Sequence, residues 1–249
     1  MRPRFYWWPR LAQGFLIARK AQLMTAVSPY TAEVWTRDMG RKKPIHVVPN
    51  GLPDAVLREG ASMRPAAKQK ELVLGAIGDG FTTRKNTEGL LRAFRLVRME
   101  VPKARLLIFG TDHGLGQAAE RWAVAEGLSD GVEFRGRTPH QEIMRELRES
   151  IDVYVHPSLE ESCCMAVLEA MASGLPVVGG DKSGGVPWQL EGGAGIVCDV
   201  LNPTAFATAI LAGWGRQDLA DAARSKVLSS FTTEAVSQRY LDLLEEARC

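Results

Sequence analysis

The chain has 249 residues, 45% hydrophobic and 24% charged, the profile of a globular protein with one large domain or one and a half. Its formal net charge of +2 carries no whole-molecule field for nucleic acid, and its aromatic and basic residues are not interleaved as in a single-strand binding groove, so no nucleic-acid partner is expected. No apolar run reaches the ~18 residues that span a bilayer, and Cys163, Cys164, Cys198 and Cys249 form neither a CxxC nor a His–Cys pattern with metal spacing, so reduced thiols in a cytoplasmic protein without a metal are expected.

The first segment, "MRPRFYWWPRLAQGFLIARKAQ", mixes Arg2, Arg4, Arg10, Arg19 and Lys20 with Phe5, Tyr6, Trp7, Trp8 and Phe15. It lacks the apolar core and cleavage site of a signal peptide. A basic, Trp-rich start suits either a peripheral contact with the inner membrane face through residues 1–20 or an ordinary packed surface segment. Residues 11–25 read as helix, "TAVSPYTAEVWTRDMG" as a strand end followed by a helix, and "IHVVPNGLP" as a strand and a turn. These are too few elements for an independent domain, so residues 1–50 are expected to be the tail and linker of a larger unit.

From Glu71 onward short apolar runs alternate with helix-period segments. Strands are expected at 71–78, 104–110, 131–136, 152–158, 175–180 and 194–200, and helices at 86–101, 116–127, 139–150 and 165–174. Three more helices close the chain, at 202–214, 217–231 and 232–247, with Thr232 or Thr233 as the N-cap of the last. The strands are continuous apolar runs, as expected of a parallel sheet covered on both faces. The fold class is therefore α/β, a doubly wound, Rossmann-like parallel sheet over residues 51–231 with a C-terminal helix at 232–249. Such sheets bind ligands beyond the carboxyl ends of their strands, where the strand order switches. The loops there are "GDGFTTRKN", "GTDHG", "RGRTPHQ", "HPSLEES" and "GGDKSGG".

"HPSLEESCCMAVLEAMASGLPVV" places Glu161 and Glu169 eight residues apart at the mouth of a helix. Eight helical residues span ~12 Å, similar to the separation of sugar and ribose across a diphosphate. One carboxylate can hold sugar hydroxyls and the other ribose hydroxyls, by accepting from vicinal O–H groups. A helix starting near Cys164 would present the N–H groups of Cys164, Met165 and Ala166 to the diphosphate between them. Lys85 would neutralise that diphosphate, with Arg84 sharing the role. His156 before Pro157 reads equally as a loop side chain or a base contact, and His113 and His140 are expected at the surface.

Several pieces, taken in order, resemble the C-terminal half of the family-4 (group 1) retaining glycosyltransferases, whose fold is the two-Rossmann-domain GT-B type. They are "VSPYTAEVWTRDMGRKKPIHVVPNG", "GDGFTTRKNTEGLLRAF", "VEFRG", the E-x7-E segment with Glu161 and Glu169, "SGGVP", "GGAGIVCDVLNP" and "FTTEAVSQRYLDLLEEA". The resemblance implies a nucleoside-diphosphate-sugar donor, no metal, and transfer with retention to an acceptor hydroxyl in polysaccharide or glycolipid assembly. It implies catalytic roles for Glu161 and Lys85. It also implies donor contacts from Glu169, Arg84, Cys164, Met165, Ala166, Gly78 and, near the base, Gly136. It further implies an N-terminal acceptor domain, most of which this sequence lacks, so that a missing domain or a partner chain would complete the site. The acceptor is not named by any of these residues. The sequence departs from the family where Ser162-Cys163-Cys164 stands for Gly-Phe-Gly, where Asp79 follows Gly78 in place of an arginine, and where Trp188 replaces an acidic residue.

The alternative is a non-catalytic or partner-dependent nucleotide-sugar-binding subunit. A nicotinamide-dependent oxidoreductase would need GxGxxG, and Gly75, Gly78 and Gly80 have the wrong spacing. A sugar-nucleotide epimerase on the same two-domain fold is the remaining reading.

Overall fold

A computed structural model describes residues 14, 16, 17, 19–59 and 71–247. Most of the basic, aromatic first segment, and Cys249, lie outside these residues. In chain order the elements are β1 (Thr25–Ala26), α1 (Pro29–Met39), β2 (His46–Val47), α2 (Asp54–Glu59), β3 (Val73–Ile77), a 3-10 turn (Thr83–Lys85), α3 (Thr87–Glu100), β4 (Arg105–Phe109) and α4 (Ala118–Ala125). There follow β5 (Val132–Gly136), α5 (His140–Glu149), β6 (Val153–His156), α6 (Met165–Ala172), β7 (Val177–Gly180), α7 (Val186–Leu190), β8 (Ile196–Cys198), α8 (Pro203–Gly213), α9 (Gln217–Ser230) and α10 (Thr233–Glu246).

β3 to β8 form a six-stranded parallel sheet in the order β5-β4-β3-β6-β7-β8. The chain builds outward from β3 to one edge, then returns to lay β6 on the other side of β3. The doubly wound reading holds, and the switch lies between β3 and β6. Alternate residues of each strand serve opposite faces. Val73, Leu107, Phe109, Tyr154 and Val177 enter one core with α6 and α9, whereas Leu74, Leu106, Ile108, Val153, Val155 and Val178 enter the other with α3 and α8. This is why the strands read as unbroken apolar runs rather than alternating ones.

β1 and β2 pair in a separate two-stranded parallel sheet. Ser28 caps α1 by accepting from the Thr31 N–H at 3.2 Å, Pro29 opens the helix, and Gly40 closes it with φ 60°. Fully buried Leu52 joins this region to the end of the chain: its N–H donates to Phe231 O (2.7 Å), and its carbonyl accepts from the Thr233 N–H (3.2 Å). Of the two threonines expected to cap the last helix, Thr232 does so, accepting from the Ala235 N–H. The short helices α2 and α7 were not read from the sequence, since five or six residues give too little periodicity. Among the described residues no helix is long and apolar enough to cross a membrane.

Candidate functional site

The strand order aims two loops at each other. After β3 the chain passes Gly78 and makes the 3-10 turn Thr83–Lys85, then enters α3 through Asn86, whose φ of 50° is left-handed. The Asn86 amide donates to Pro157 O (3.2 Å) and Val200 O (3.1 Å), which ties this loop to the ends of β6 and β8. A Cβ on Gly89 would stand 2.5 Å from Asn86 Oδ1, so the glycine in "NTEG" makes room for the tie. The loop after β6 lies over the same turn, with Leu159 N–H (2.8 Å) and the Ser158 hydroxyl (3.2 Å) both donating to Arg84 O. A small cavity of about 10 Å³ at this switch is lined by Gly78, Lys85, His113, His156 and Ser158 together with apolar Ile77, Leu90 and Ile108.

Charge converges there. Lys85 Nζ donates to Glu161 Oε1 at 2.7 Å, with Arg84 Nη1 3.7 Å and His156 Nε2 3.5 Å from the same oxygen. Burial works against the Glu161 carboxylate, but the bonds from His156, Lys85 and Ser158 outweigh it and hold the carboxyl down at about 2. Burial likewise lowers His156, and the neighbouring Cys164 and Glu161 overcome it, raising the imidazole to about 9. His156 is the last residue of β6, 2% exposed, with Cys164 Sγ 3.6 Å from its Nε2. It belongs to the cluster, although its sequence position reads equally well as a loop. The available signal was a polar residue closing the apolar run "VYV" at the end of a central strand.

"SGGVP" holds the carboxylate loop from behind. Ser183 Oγ donates to Ser158 O, and Gly185 N–H to Glu161 O at 2.8 Å. A Cβ on Gly184 would lie 2.3 Å from Glu161 O, and one on Gly185 2.1 Å from Ser162 O. Backbone meets backbone here, and any side chain would push the Glu161 loop forward. The same loop meets the N-terminal segment, where the Tyr30 hydroxyl donates to Glu160 Oε1 at 2.6 Å.

Two expectations need correction. The Cys164 N–H is not offered to a ligand: it donates to Gln189 Oε1 (3.0 Å), whose amide returns a bond to Cys164 O (3.1 Å). A buried amide on α7 thus takes the first N–H of the α6 terminus, leaving those of Met165 and Ala166 in the first turn, where no preceding helical carbonyl can accept them. His113 is buried, not exposed; its ring sits between Thr87 Oγ1 (2.9 Å) and Thr111 O (2.8 Å), and burial lowers its pKa. Asp79, standing where the family has an arginine, accepts from the Thr111 N–H at 2.9 Å, and that bond leads in holding its carboxyl below the usual range.

The remaining candidates lie around this cluster. Glu169 is on α6 with its side chain 15% exposed, and Oε1 is paired with the exposed His140 Nε2 at 2.9 Å. Gly136 ends β5 with φ 63°, and its N–H donates to His113 O. At Gly78 a Cβ would meet nothing within 4 Å, so the backbone beside Lys85 faces open space. The three cysteines within the described residues are free thiols, and burial leads in raising Cys163 and Cys198 to about 11.

Comparison with known proteins gives a consistent picture. The family model described as "Glycosyl transferases group 1" matches residues 71–214, more than half of the chain. An amylovoran biosynthesis glycosyltransferase of Erwinia amylovora is 31% identical over 179 residues, 66% of this chain and 42% of that protein. A GDP-mannose-dependent phosphatidylinositol monomannoside mannosyltransferase of Mycolicibacterium smegmatis is 28% identical over 208 residues, 78% of this chain and 53% of that protein. The chain thus spans about half, or less, of the length of these curated relatives. Among solved structures, Anabaena HepE in complex with UDP-glucose superposes with a TM-score of 0.76 at 19% identity, covering 96% of this chain and 68% of that one. Sucrose-phosphate synthase from Thermosynechococcus elongatus gives 0.75 at 23% identity, over 99% of this chain and 64% of the other. At these identities the likeness shows the fold, the Rossmann-like half of a GT-B glycosyltransferase. By the family model that spans its six-stranded sheet, the chain belongs to the group 1 glycosyltransferases.

Proposed function

We propose that the chain binds a nucleoside-diphosphate sugar across the carboxyl ends of β3 and β6 and, in a two-domain assembly, transfers the sugar with retention to an acceptor hydroxyl in polysaccharide or glycolipid synthesis. The observation that carries this reading is the meeting of Lys85 and Glu161, from loops on either side of the strand-order switch, at 2.7 Å beside the open backbone of Gly78. In this reading the diphosphate lies against Lys85, Arg84 and the first-turn N–H groups of Met165 and Ala166. As the glycosidic bond breaks, negative charge grows on the departing diphosphate. A fixed ammonium and fixed N–H dipoles stabilise it with little reorganisation. Glu161 is anionic throughout the physiological range and accepts from sugar hydroxyls, while Glu169 accepts from the ribose at the far end. Both carboxylates now hold protein partners, Lys85 and His140, which the donor would share or displace.

The name of one relative, a GDP-mannose-dependent mannosyltransferase, and that of a fold neighbour bound to UDP-glucose support a nucleotide-sugar donor as the class. Titration calorimetry with UDP, GDP and ADP tests the reading. One nucleotide should bind measurably, and Lys85→Ala and Glu169→Ala should each weaken it. No detectable binding of any of the three by the folded chain would refute the donor site.

A further inference from the structure

Cys164 Sγ stands 3.6 Å from His156 Nε2 and 3.7 Å from its Nδ1, Glu161 Oε1 stands 3.5 Å from the same Nε2, and the three groups offer ligand atoms that all lie within 4.8 Å of one another. A tetrahedral ion with ligand bonds of about 2.0–2.3 Å keeps its ligand atoms roughly 3.3–3.8 Å apart. Two edges of this triangle therefore already have the length that a bound ion would impose. The ligands sit on fixed elements: His156 ends a central strand, and Cys164 is the N-cap position of α6, locked at both backbone groups by Gln189. His156 and Cys164 are 2% and 7% exposed, while Glu161 is half-buried at the mouth of the cleft. An ion could enter past the carboxylate and keep a fourth position open to solvent. The other nitrogen of the imidazole, Nδ1, lies 3.4 Å from the hydroxyl of fully buried Tyr154, the kind of polar neighbour that fixes the tautomer and orientation of a ligating histidine.

We propose that His156, Glu161 and Cys164 form a binding site for a thiophilic divalent cation of the zinc class. One thiolate, one imidazole and one carboxylate favour such an ion over magnesium or calcium, which prefer all-oxygen shells. On binding, the Cys164 S–H proton and the Nε2–H proton of the charged imidazole both pass to solvent, the freed Nε2 lone pair goes to the ion, and Nδ1 keeps its proton, directed at the Tyr154 oxygen. The ion takes the Glu161 oxygen that Lys85 now holds at 2.7 Å, so the dication and the ammonium exclude each other there. Cysteine spacing did not reveal this site because the three ligands come from a strand end, a loop and a helix cap, in an H-x4-E-x2-C order that matches no CxxC rule. The proposal stands on the cluster geometry and does not depend on the donor reading.

The test uses the full chain without nucleotide, since phosphates chelate the probe ions. Cobalt(II) titration should give a thiolate-to-cobalt absorption band that saturates at one ion per chain, is displaced by zinc(II) and is untouched by excess magnesium. The band should vanish in Cys164→Ala, fall in His156→Gln and survive in Cys163→Ser, Cys198→Ser and Cys249→Ser. Absence of the band at millimolar cobalt, or its survival in folded Cys164→Ala, would overturn the proposal. X-ray absorption of the zinc-loaded wild-type chain decides the matter without any variant: one sulfur beside nitrogen and oxygen is expected, and an all-nitrogen-and-oxygen shell would overturn it.

Discussion

Lys85 Nζ and Glu161 Oε1 stand 2.7 Å apart with side chains 15% and 16% exposed, although the two residues are 76 positions apart in sequence. The pair closes the cleft between β3 and β6, and with His156 it sets a pH window for stability. A carboxyl lowered from 4.5 to about 2 contributes stability that is full above 4.5 and is lost as pH falls toward 2. At 1.36 kcal/mol per pKa unit the upper limit is about 3 kcal/mol. An imidazole raised from 6.5 to about 9 contributes stability that is full below 6.5 and is lost as pH rises through 9. Denaturant midpoints across this range should therefore form a plateau between the two limbs. Glu161→Gln should shallow both limbs, since Asp79 also contributes to the acid one and Cys164 also supports His156 on the alkaline side. An acid limb unchanged in Glu161→Gln would show that the carboxylate is not the group being titrated.

The two cations of the "RKN" loop should differ in weight. Lys85 is largely enclosed, whereas Arg84 is 51% exposed and spends one N–H on Glu160 O at 3.1 Å. A charge-assisted bond in a desolvated place contributes about 1.5–3 kcal/mol, an exposed one much less. Lys85→Ala should thus weaken nucleoside-diphosphate binding by roughly 10- to 100-fold, and Arg84→Ala by clearly less, as read by calorimetry at fixed salt. Equal losses would mean that the phosphates lie outside the loop rather than in the cleft.

The fold was legible because its signal is redundant. Each strand is a continuous apolar run, each of the longer helices has an amphipathic or capped pattern, and their alternation admits few topologies. The pairing of Glu161 with Lys85 is half legible: both residues stand out, but as separate contacts to one ligand, because sequence does not show which charges neutralise each other across the fold. The Gln189 amide on the Cys164 backbone and the stacking of Gly184 and Gly185 on the Glu161 loop left no local trace, since backbone contacts are made by whatever residue has no side chain in the way. His156 was missed for a related reason. A histidine before a proline is ordinary in a loop, and its meaning here comes from the way the chain folds Glu161 and Cys164 back onto the strand end beside Tyr154.

Glu169 and His140 offer a cleaner separation of ligand contact from structural pairing. His140 is 57% exposed on the first turn of α5, and its bond to Glu169 bridges helices without burying either group fully. If Glu169 holds the ribose, His140 is a placeholder at the same oxygen. His140→Ala should leave nucleotide affinity within about threefold, whereas Glu169→Ala should lower it by about tenfold or more. Isothermal titration of both variants with the nucleotide that binds the wild type decides it. A large loss in His140→Ala with none in Glu169→Ala would reverse the assignment.

Two glycine-to-alanine substitutions should separate the scaffold of the cleft from its ligand surface. Gly185 is not in a left-handed conformation, with φ −77°, so alanine suits its backbone, but the new Cβ would lie 2.1 Å from Ser162 O and must displace the Glu161 loop. Overpacking of this kind costs about 1–3 kcal/mol, or several degrees of melting temperature for a chain of this size, and donor affinity should fall with it. Gly78 is also outside the left-handed region, and a Cβ there meets nothing within 4 Å. Gly78→Ala should therefore melt within a degree or two of wild type. If a diphosphate approaches that backbone beside Lys85, the added methyl group stands in its path and nucleotide affinity drops while stability does not. Thermal melts and calorimetry on both variants separate the cases: weakened binding at unchanged stability in Gly78→Ala places the ligand against β3, and unchanged binding there would move the donor away from this strand end.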